Sequence, residues 1–332
     1  MFFSFIIPVY NRPDEIDELL QSLAILKFNS PFEVVIVEDG STNTCRHVIE
    51  KYNHKLDITY FFKPNSGPGD SRNYGMQHAK GDYFLILDSD CILPESYLEE
   101  VTNSLAESYV DCFGGPDKAL DSFSDIQKAI NFTMTSFLTT GGIRGGSEKL
   151  DKFQPRSFNM GLSKVAFEAS KGFGNIHPGE DPDLSIRLWN LGYETKLIKK
   201  AYVYHKRRID WVKFKIQVNK FGKARPILNK WHPGYSKLTY WFPTVFCFGF
   251  LISLVLFVFK IPFLLLIYAI YFGLLFFVAL FKTKSVKIAI YSLIALAYQF
   301  YGYGRGFLQS YFNIFILKKE PQIAHPEMFF KK

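Results

Sequence analysis

Acidic side chains are scarce in the second part of this chain. Only three of its 31 Asp and Glu residues lie after residue 195, whereas 22 of its 39 Lys and Arg residues lie there. Residues 196–240 are strongly basic and lead directly into long apolar runs, which excludes an ordinary mixed-charge soluble surface for this part. Anionic lipid headgroups attract such a segment, and it contains no recognised nucleic-acid reader motif. We therefore expect membrane lipids as its partner and no nucleic acid.

Cysteine is also rare, and this excludes two classes of protein. Cys45, Cys91, Cys112 and Cys247 form no C-x-x-C pair and no zinc-ligand spacing, so neither a disulfide framework nor a zinc module is indicated. The apolar start MFFSFIIPVY lacks a charged n-region and a small-residue cleavage site, and it is therefore predicted to be a first strand, not a signal peptide. A reducing compartment and a cytosolic N-terminal domain follow from these two observations.

Apolar segments of strand type alternate with helical segments through residue 90. Strands are predicted at Phe2–Val9, Phe32–Val37, Ile58–Phe62 and Tyr83–Leu87, and helices at Asp14–Leu26, Thr44–Tyr52 and Ser71–His78. A later helical segment is predicted near Asp125–Leu138. This alternation predicts an α/β domain with a doubly wound, mostly parallel sheet whose loops gather at one edge.

Polar groups follow three of these strands at that edge. Asp88 and Asp90 come directly after the fourth strand, Asp39 ends the second and Asn65 follows the third. Two close carboxylates repel each other, and Mg²⁺ or Mn²⁺ shared with substrate phosphates relieves that repulsion. A plain turn or a helix cap before Pro94 is the alternative for the Asp-Ser-Asp segment alone.

A second acidic motif, Glu180-Asp181, precedes Pro182 at the predicted start of a helix. These carboxylates either face the active edge of the sheet or simply favour the dipole of the helix. The short predicted strand Ala201–His205 ends in a histidine that is a candidate metal or phosphate contact, although a lone histidine is more often structural.

Five motifs occur in a fixed order over residues 3–205. They are Ile6-Ile7-Pro8-Val9-Tyr10-Asn11, Val37-Glu38-Asp39-Gly40-Ser41, Asn65-Ser66-Gly67 with Ser71-Arg72-Asn73-Tyr74-Gly75, Asp88-Ser89-Asp90, and Gly179-Glu180-Asp181 with Leu184 and Arg187-Leu188. Together they resemble glycosyltransferase family 2, of the GT-A fold, in its membrane-anchored bacterial type.

The resemblance implies a role for each matching position. It implies nucleotide binding by Pro8, Tyr10, Asp39, Asn65, Arg72 and Asp88, metal binding by Asp90, Asp88 and, as a looser match, His205, and general base catalysis by Asp181 with Glu180 beside it. The implied reaction is an inverting, Mg²⁺- or Mn²⁺-dependent transfer from a UDP- or GDP-sugar. A carboxylate on one side deprotonates the acceptor hydroxyl, and the metal on the other side neutralises the leaving diphosphate.

One motif of the family's processive synthases is missing. No Gln-x-x-Arg-Trp follows the base motif, and the nearest stretch is Gln217–Phe221. This absence favours transfer of a single sugar, with a membrane-associated glycan or lipid-linked acceptor. The alternatives are a polyprenyl-phosphate glycosyltransferase, a nucleotidyltransferase and an inactive membrane scaffold that binds nucleotide or partners.

The expected organisation has four parts. They are a catalytic domain at 1–205, a basic interfacial region at 206–240, a membrane domain at 241–317 and a basic tail at 318–332. Within the membrane domain, spans are predicted at 241–259 and 261–281, each long enough to cross a bilayer, with a third at 286–303. We expect a multi-pass protein of the cytoplasmic membrane whose catalytic domain faces the cytosol.

Overall fold

The computed structural model describes residues 1–118, 120, 122–140, 152–206 and 210–330. The chain divides into two compact units. Unit 1 holds Met1–Leu120, Gly146–Arg207 and Phe329–Lys332, and unit 2 holds Asp121–Gly145 and Arg208–Met328. Four residues of the predicted basic segments lie outside the described residues: Arg207 and Arg208 of the interfacial region, and Lys331 and Lys332 of the tail.

All described strands belong to unit 1. They are β1 (Phe3–Val9), β2 (Phe32–Asp39), β3 (Asp57–Lys63), β4 (Tyr83–Leu87), β5 (Cys91–Ile92), β6 (Cys112–Gly114), β7 (Asp117–Lys118), β8 (Asn159–Ser163), β9 (Thr195–Leu197) and β10 (Val203–His205). The helices are α1 (Pro13–Leu23), α2 (Arg46–Ile49), α3 (Pro68–His78), α4 (Tyr97–Glu107), α5 (Asp125–Thr135), α6 (Phe137–Thr140), α7 (Lys164–Ser170), α8 (Glu180–Asn190), α9 (Trp211–Trp231), α10 (Phe242–Val258), α11 (Phe263–Thr283), α12 (Val286–Tyr311) and α13 (Pro321–Ala324).

The main sheet has seven strands in the order β3-β2-β1-β4-β8-β6-β9. The first four positions are parallel, β8 runs antiparallel to both of its neighbours, and β6 and β9 pair in parallel. Strands β1 and β4 are buried on both faces, as their unbroken apolar runs predict. The predicted α/β fold with a mostly parallel sheet is confirmed.

Two local predictions differ from the structure in length. The helix predicted over Thr44–Tyr52 is only the four residues of α2, and the helix predicted near Asp125–Leu138 divides into α5 and α6. The break falls at Ser136, whose backbone is extended (φ −67°, ψ 138°). Apolar spacing cannot register such a break, because the periodicity continues on both sides of it.

A small second sheet places the strand that carries His205. β10 pairs antiparallel with β5 and parallel with β7, in the order β5-β10-β7. In this register His205 lies opposite Cys91, the residue after Asp90. The sheet therefore brings a residue 115 positions away in the sequence to the Asp-Ser-Asp segment.

Unit 2 is helical, and its centre is the packing of α9 on α12. Gly302 of α12 faces Val218 of α9, and Gly306 faces Asn219, whose side-chain amide donates to the Gly302 carbonyl at 3.0 Å. The predicted interfacial segment 206–240 therefore contains one 21-residue helix with a buried face.

Two helices in the described chain are long and apolar enough to cross a membrane. They are Leu238–Val258, with a mean hydropathy of 2.3, and Phe263–Thr283, with a mean hydropathy of 2.7. They coincide with the first two predicted spans. Helix α12 is not one of them, so the crossing at 286–303 stays a prediction.

Candidate functional site

The loop after β2 is held by internal hydrogen bonds. Oδ1 of Asp39 accepts from the Ser66 amide at 2.9 Å and from the Lys63 ammonium at 2.8 Å, and Oδ2 accepts from the Gly67 amide at 2.9 Å. The Asn65 side chain donates to the Asp39 carbonyl at 2.9 Å. Asp39 and Asn65, two predicted nucleotide residues, thus meet, and any contact of Asp39 with a nucleoside must share oxygens that already bind this loop.

The end of β1 joins the same loop through Asn11. Its side-chain oxygen accepts from the amides of Thr42 and Asn43, both at 2.9 Å, and its own amide donates to the Ser41 hydroxyl. Asn11 has φ +53°, a conformation that asparagine tolerates better than most residues. Pro8 pairs with Val37 in the sheet, and Tyr10 is largely exposed beyond it, so both predicted nucleoside residues lie at this edge.

Arg72 connects the two acidic motifs. Its buried guanidinium lies 2.7 Å from Oδ1 of Asp88 and 3.4 Å from Oε1 of Glu180, and it also faces the Phe173 ring. Helix α3 supplies this side chain one turn after its start, where Gly67 (φ +97°) and Pro68 begin the helix. The predicted nucleotide residue is thus the counter-ion of two other predicted site residues.

Asp90 has cationic partners of its own. Oδ2 lies 3.1 Å from Nη1 of Arg12, and Oδ1 lies 3.1 Å from Nε2 of His205. Burial alone would raise the pKa of Asp90, but His205 and Arg12 outweigh it and lower the pKa. The predicted meeting of Asp90 and His205 is therefore present, whereas Asp88 pairs with Arg72 instead of joining them.

The pair Glu180-Asp181 opens α8, as Pro182 predicts, and its two carboxyls differ. Burial would raise the pKa of Glu180, but His177, whose Nδ1 lies 2.8 Å from Oε1, and Arg72 lower it to about 2. Burial and the neighbouring Glu180 instead raise the pKa of Asp181. Oδ1 of Asp181 is buried and has no protein hydrogen-bond partner within the described residues. Asp181 is thus the carboxylate that can take up a proton.

The donor atoms around Asp90 suit a hard or borderline divalent cation. Asp90, Cys91 and His205 offer ligand atoms within 4.8 Å of one another. Carboxylate oxygen and imidazole nitrogen suit Mn²⁺. Burial raises the pKa of the Cys91 thiol well above its usual value, and the thiol hydrogen-bonds the Phe158 carbonyl, which disfavours it as a ligand. The residues fit a cation held by Asp90 and His205.

Comparison with known proteins identifies the family. The family model for Glycosyl transferase family 2 matches residues 4–173, more than half of the chain. The chain belongs to glycosyl transferase family 2. A second model, Glycosyl transferase family group 2, matches residues 154–282. The motifs from β1 to the Asp-Ser-Asp segment fall inside the first match, and Glu180, Asp181 and His205 fall inside the second.

Similar proteins share parts of this family 2 chain. The poly(ribitol-phosphate) beta-N-acetylglucosaminyltransferase TarS of Staphylococcus aureus is 37% identical over 114 residues, which are 33% of this chain and 20% of TarS. Hyaluronan synthase of Pasteurella multocida is 31% identical over 235 residues, which are 61% of this chain and 24% of that protein. The chain therefore matches only about a fifth to a quarter of the length of these relatives.

Two solved structures share the fold. TarS 1–349 in complex with UDP-GlcNAc has a TM-score of 0.51 at 20% identity and covers 96% of this chain and 93% of that one. The mannosyltransferase PcManGT of Pyrobaculum calidifontis, in complex with GDP-Man and Mn²⁺, has a TM-score of 0.55 at 16% identity and covers 89% and 85%. At these identities the likeness is one of fold, and it agrees with the predicted GT-A architecture.

Four side chains of the site carry no role in the sequence-based prediction: Asn11, Arg12, Lys63 and His177. Arg12, Lys63 and His177 contact the predicted residues Asp90, Asp39 and Glu180, respectively. Asn11 instead binds the amides of Thr42 and Asn43 in the loop after β2. Asn11 is part of the first family motif, and this position could have indicated a role in the site. Arg12 and Lys63 are ordinary surface types in sequence, and only the sheet topology shows that they reach Asp90 and Asp39.

Proposed function

We propose that this chain is an inverting glycosyltransferase that moves one sugar from a nucleoside-diphosphate donor to an acceptor hydroxyl. Family membership supports the reaction class, and the contrast between two adjacent carboxyls supports the assignment of the base. Glu180 is fixed in its charged form by His177 and Arg72, whereas Asp181 has a raised pKa and a buried oxygen that no described residue hydrogen-bonds. That observation carries the proposal, because a general base works best when its pKa lies near the working pH.

The residues divide the reaction between two ends of the site. The acceptor oxygen forms a bond to the anomeric carbon while the bond from that carbon to the diphosphate breaks, and Asp181 takes the acceptor's proton. Arg72 holds Asp88 and Glu180 in place, and the loop of Asp39, Asn65 and Gly67 holds the nucleoside together with Pro8 and Tyr10. A Mg²⁺ or Mn²⁺ ion held by Asp90 and His205, with Asp88 nearby, would neutralise the leaving diphosphate.

We propose further that the chain works at a membrane. Its two long apolar helices, α10 and α11, support attachment to the cytoplasmic membrane as a multi-pass protein with unit 1 in the cytosol. Membrane lipids and a glycan or lipid-linked acceptor are the partners that such a location favours. The missing Gln-x-x-Arg-Trp motif supports transfer of a single sugar over polymerisation.

Asp181→Asn should reduce transfer by about 10²–10⁴-fold, the usual contribution of a general base, without loss of donor binding. The measurement is release of nucleoside diphosphate from UDP- and GDP-sugars in detergent, with Mn²⁺ or with chelator, together with the mass of the product. Glu168→Gln, an exposed acid on α7, is the matched control and should keep wild-type rates.

Full transfer by Asp181→Asn would remove the assigned base. Release of pyrophosphate by the wild type would instead favour a nucleotidyltransferase, and binding of nucleotide without turnover of any sugar nucleotide would favour the inactive scaffold.

A further inference from the structure

Phe329–Lys332 follow unit 2 in sequence and belong to unit 1, and the structure describes the first two of these residues. Phe329 forms an antiparallel bridge with Ile176, whose side chain is buried. Ile176 lies in the loop that leads to α8, four residues before Glu180. The bridge fixes the next residue, Phe330, beside this loop.

One side of the Phe330 ring lies against Gly67. A Cβ atom built on Gly67 would lie only 2.6 Å from Cγ of Phe330, so the ring fills the space that a side chain would occupy there. Gly67 begins α3, and its amide donates to Asp39. The ring therefore packs on the loop that is proposed to hold the nucleoside.

The same ring contacts His177. The two ring centroids are 5.9 Å apart with an interplanar angle of 49°. His177 bonds Glu180 at 2.8 Å, Glu180 lies 3.4 Å from Arg72, and Arg72 lies 2.7 Å from Asp88. A continuous line of contacts thus runs from Phe330 to both acidic motifs.

We propose that Phe330 is a positioning residue of the transferase site: its ring wedges between the Gly67 loop and His177 and sets both the nucleoside loop and the start of α8. This inference rests on the proposed function. The ring has no proton to transfer, so it acts through its neighbours. Removal of the ring frees the Gly67 loop on one side and the His177–Glu180 contact on the other.

The first measurement is nucleotide binding to the full chain in detergent, with UDP and GDP as probes in the presence of Mn²⁺. Phe330→Ala should weaken binding of the nucleotide that the wild type binds by about tenfold, since small misplacements of site residues have effects of this order or larger. Phe330→Tyr keeps the ring and should restore binding. Phe62→Ala, on the exposed side of β3, is the matched control and should bind as the wild type does.

The second measurement is a double-mutant cycle on kcat. Phe330→Ala should lower kcat about tenfold in the wild-type background and by clearly less in the His177→Ala background, because only the contact with the Gly67 loop then remains to be lost. Equal losses of kcat in both backgrounds would show that Phe330 supports the fold only. If Phe330→Ala bound nucleotide as tightly as the wild type, the proposed positioning role would be wrong. If the wild type turns over no sugar nucleotide, the proposed function fails, and the binding measurement still decides the role of Phe330.

Discussion

Arg72 forms ion pairs with one carboxylate from each acidic motif. Two carboxylates share its guanidinium: Glu180 is buried together with Arg72, and Asp88 is partly exposed. The buried pair is tolerated because the two charges compensate each other. The sequence predicts a repulsive pair at Asp88 and Asp90 that needs a cation between them. In the structure each member has its own protein partners: Arg72 for Asp88, and Arg12 with His205 for Asp90.

Replacement of Arg72 by Gln should destabilise unit 1 by about 3–5 kcal/mol. The reason is that Glu180 is then left buried without the permanent positive charge of the arginine. Thermal or denaturant unfolding measures this, with Arg46→Gln, an exposed arginine on α2, as the matched control.

The same contacts set a direction for the pH dependence of stability. The pKa of Glu180 is depressed to about 2 in the folded chain, against an ordinary value of 4.5. Its contribution to stability is therefore fully present above pH 4.5 and lost as the pH falls towards 2. Arg72→Gln should weaken this acid-dependent loss, and an unfolding curve whose pH profile matches that of the wild type would contradict the assignment.

The positions of the site residues could be predicted, but their partners could not. Asp39 ends a strand, Asn65, Asp88 and Asp90 follow strands, and the parallel sheet brings these strand ends to one edge. The contact between Arg12 and Asp90 spans 78 positions and depends on side-chain direction, which local patterns do not encode.

Among the secondary-structure elements, helices α9 and α12 make the closest approach in unit 2. Gly222 on α9 faces Tyr303, while Gly302 and Gly306 on α12 face Val218 and Asn219. Small residues spaced by four allow helix backbones to approach in this way. The composition of residues 206–240 predicts a basic surface. It does not reveal the buried face of α9, because Lys and Arg occupy many of the other positions of this helix.

Gly306→Ala should destabilise unit 2, although alanine is the better helix former by about 1 kcal/mol. A Cβ at this position would lie 3.0 Å from the Asn219 side-chain nitrogen and would press on the α9 backbone, so the helices must separate. Gly273→Ala on α11 is the matched control, because a Cβ there meets no described atom within 4 Å. Thermal unfolding in detergent should show a loss for the first variant and no loss for the second.

For the whole molecule, the proposed membrane attachment predicts a path for α10 and α11. Helices α10 and α11 are separated only by a short turn around Lys260, and Lys282, Lys284 and Lys287 follow α11. Lysines concentrate on the cytosolic side of membrane proteins, which favours a hairpin whose turn faces outward. Composition predicts this hairpin. It does not predict whether α12 crosses a membrane, because some apolar residues of α12 pack against other helices of unit 2.

Cysteine labelling tests this hairpin. Lys260→Cys should react with a membrane-impermeant maleimide in intact cells, whereas Lys284→Cys should react only after lysis. The four native cysteines are free, so each variant is compared with the parent chain under the same reagent. Reaction of Lys284→Cys in intact cells, or of neither variant before lysis, would contradict the proposed path.

The ion pair between Arg12 and Asp90 has a consequence for the resting enzyme. Asp90 has two protein partners, Arg12 and His205, so a cation at the proposed metal site would compete with the Arg12 guanidinium for the Asp90 oxygens. Under the proposed function, metal supply would then govern how many copies are ready to react.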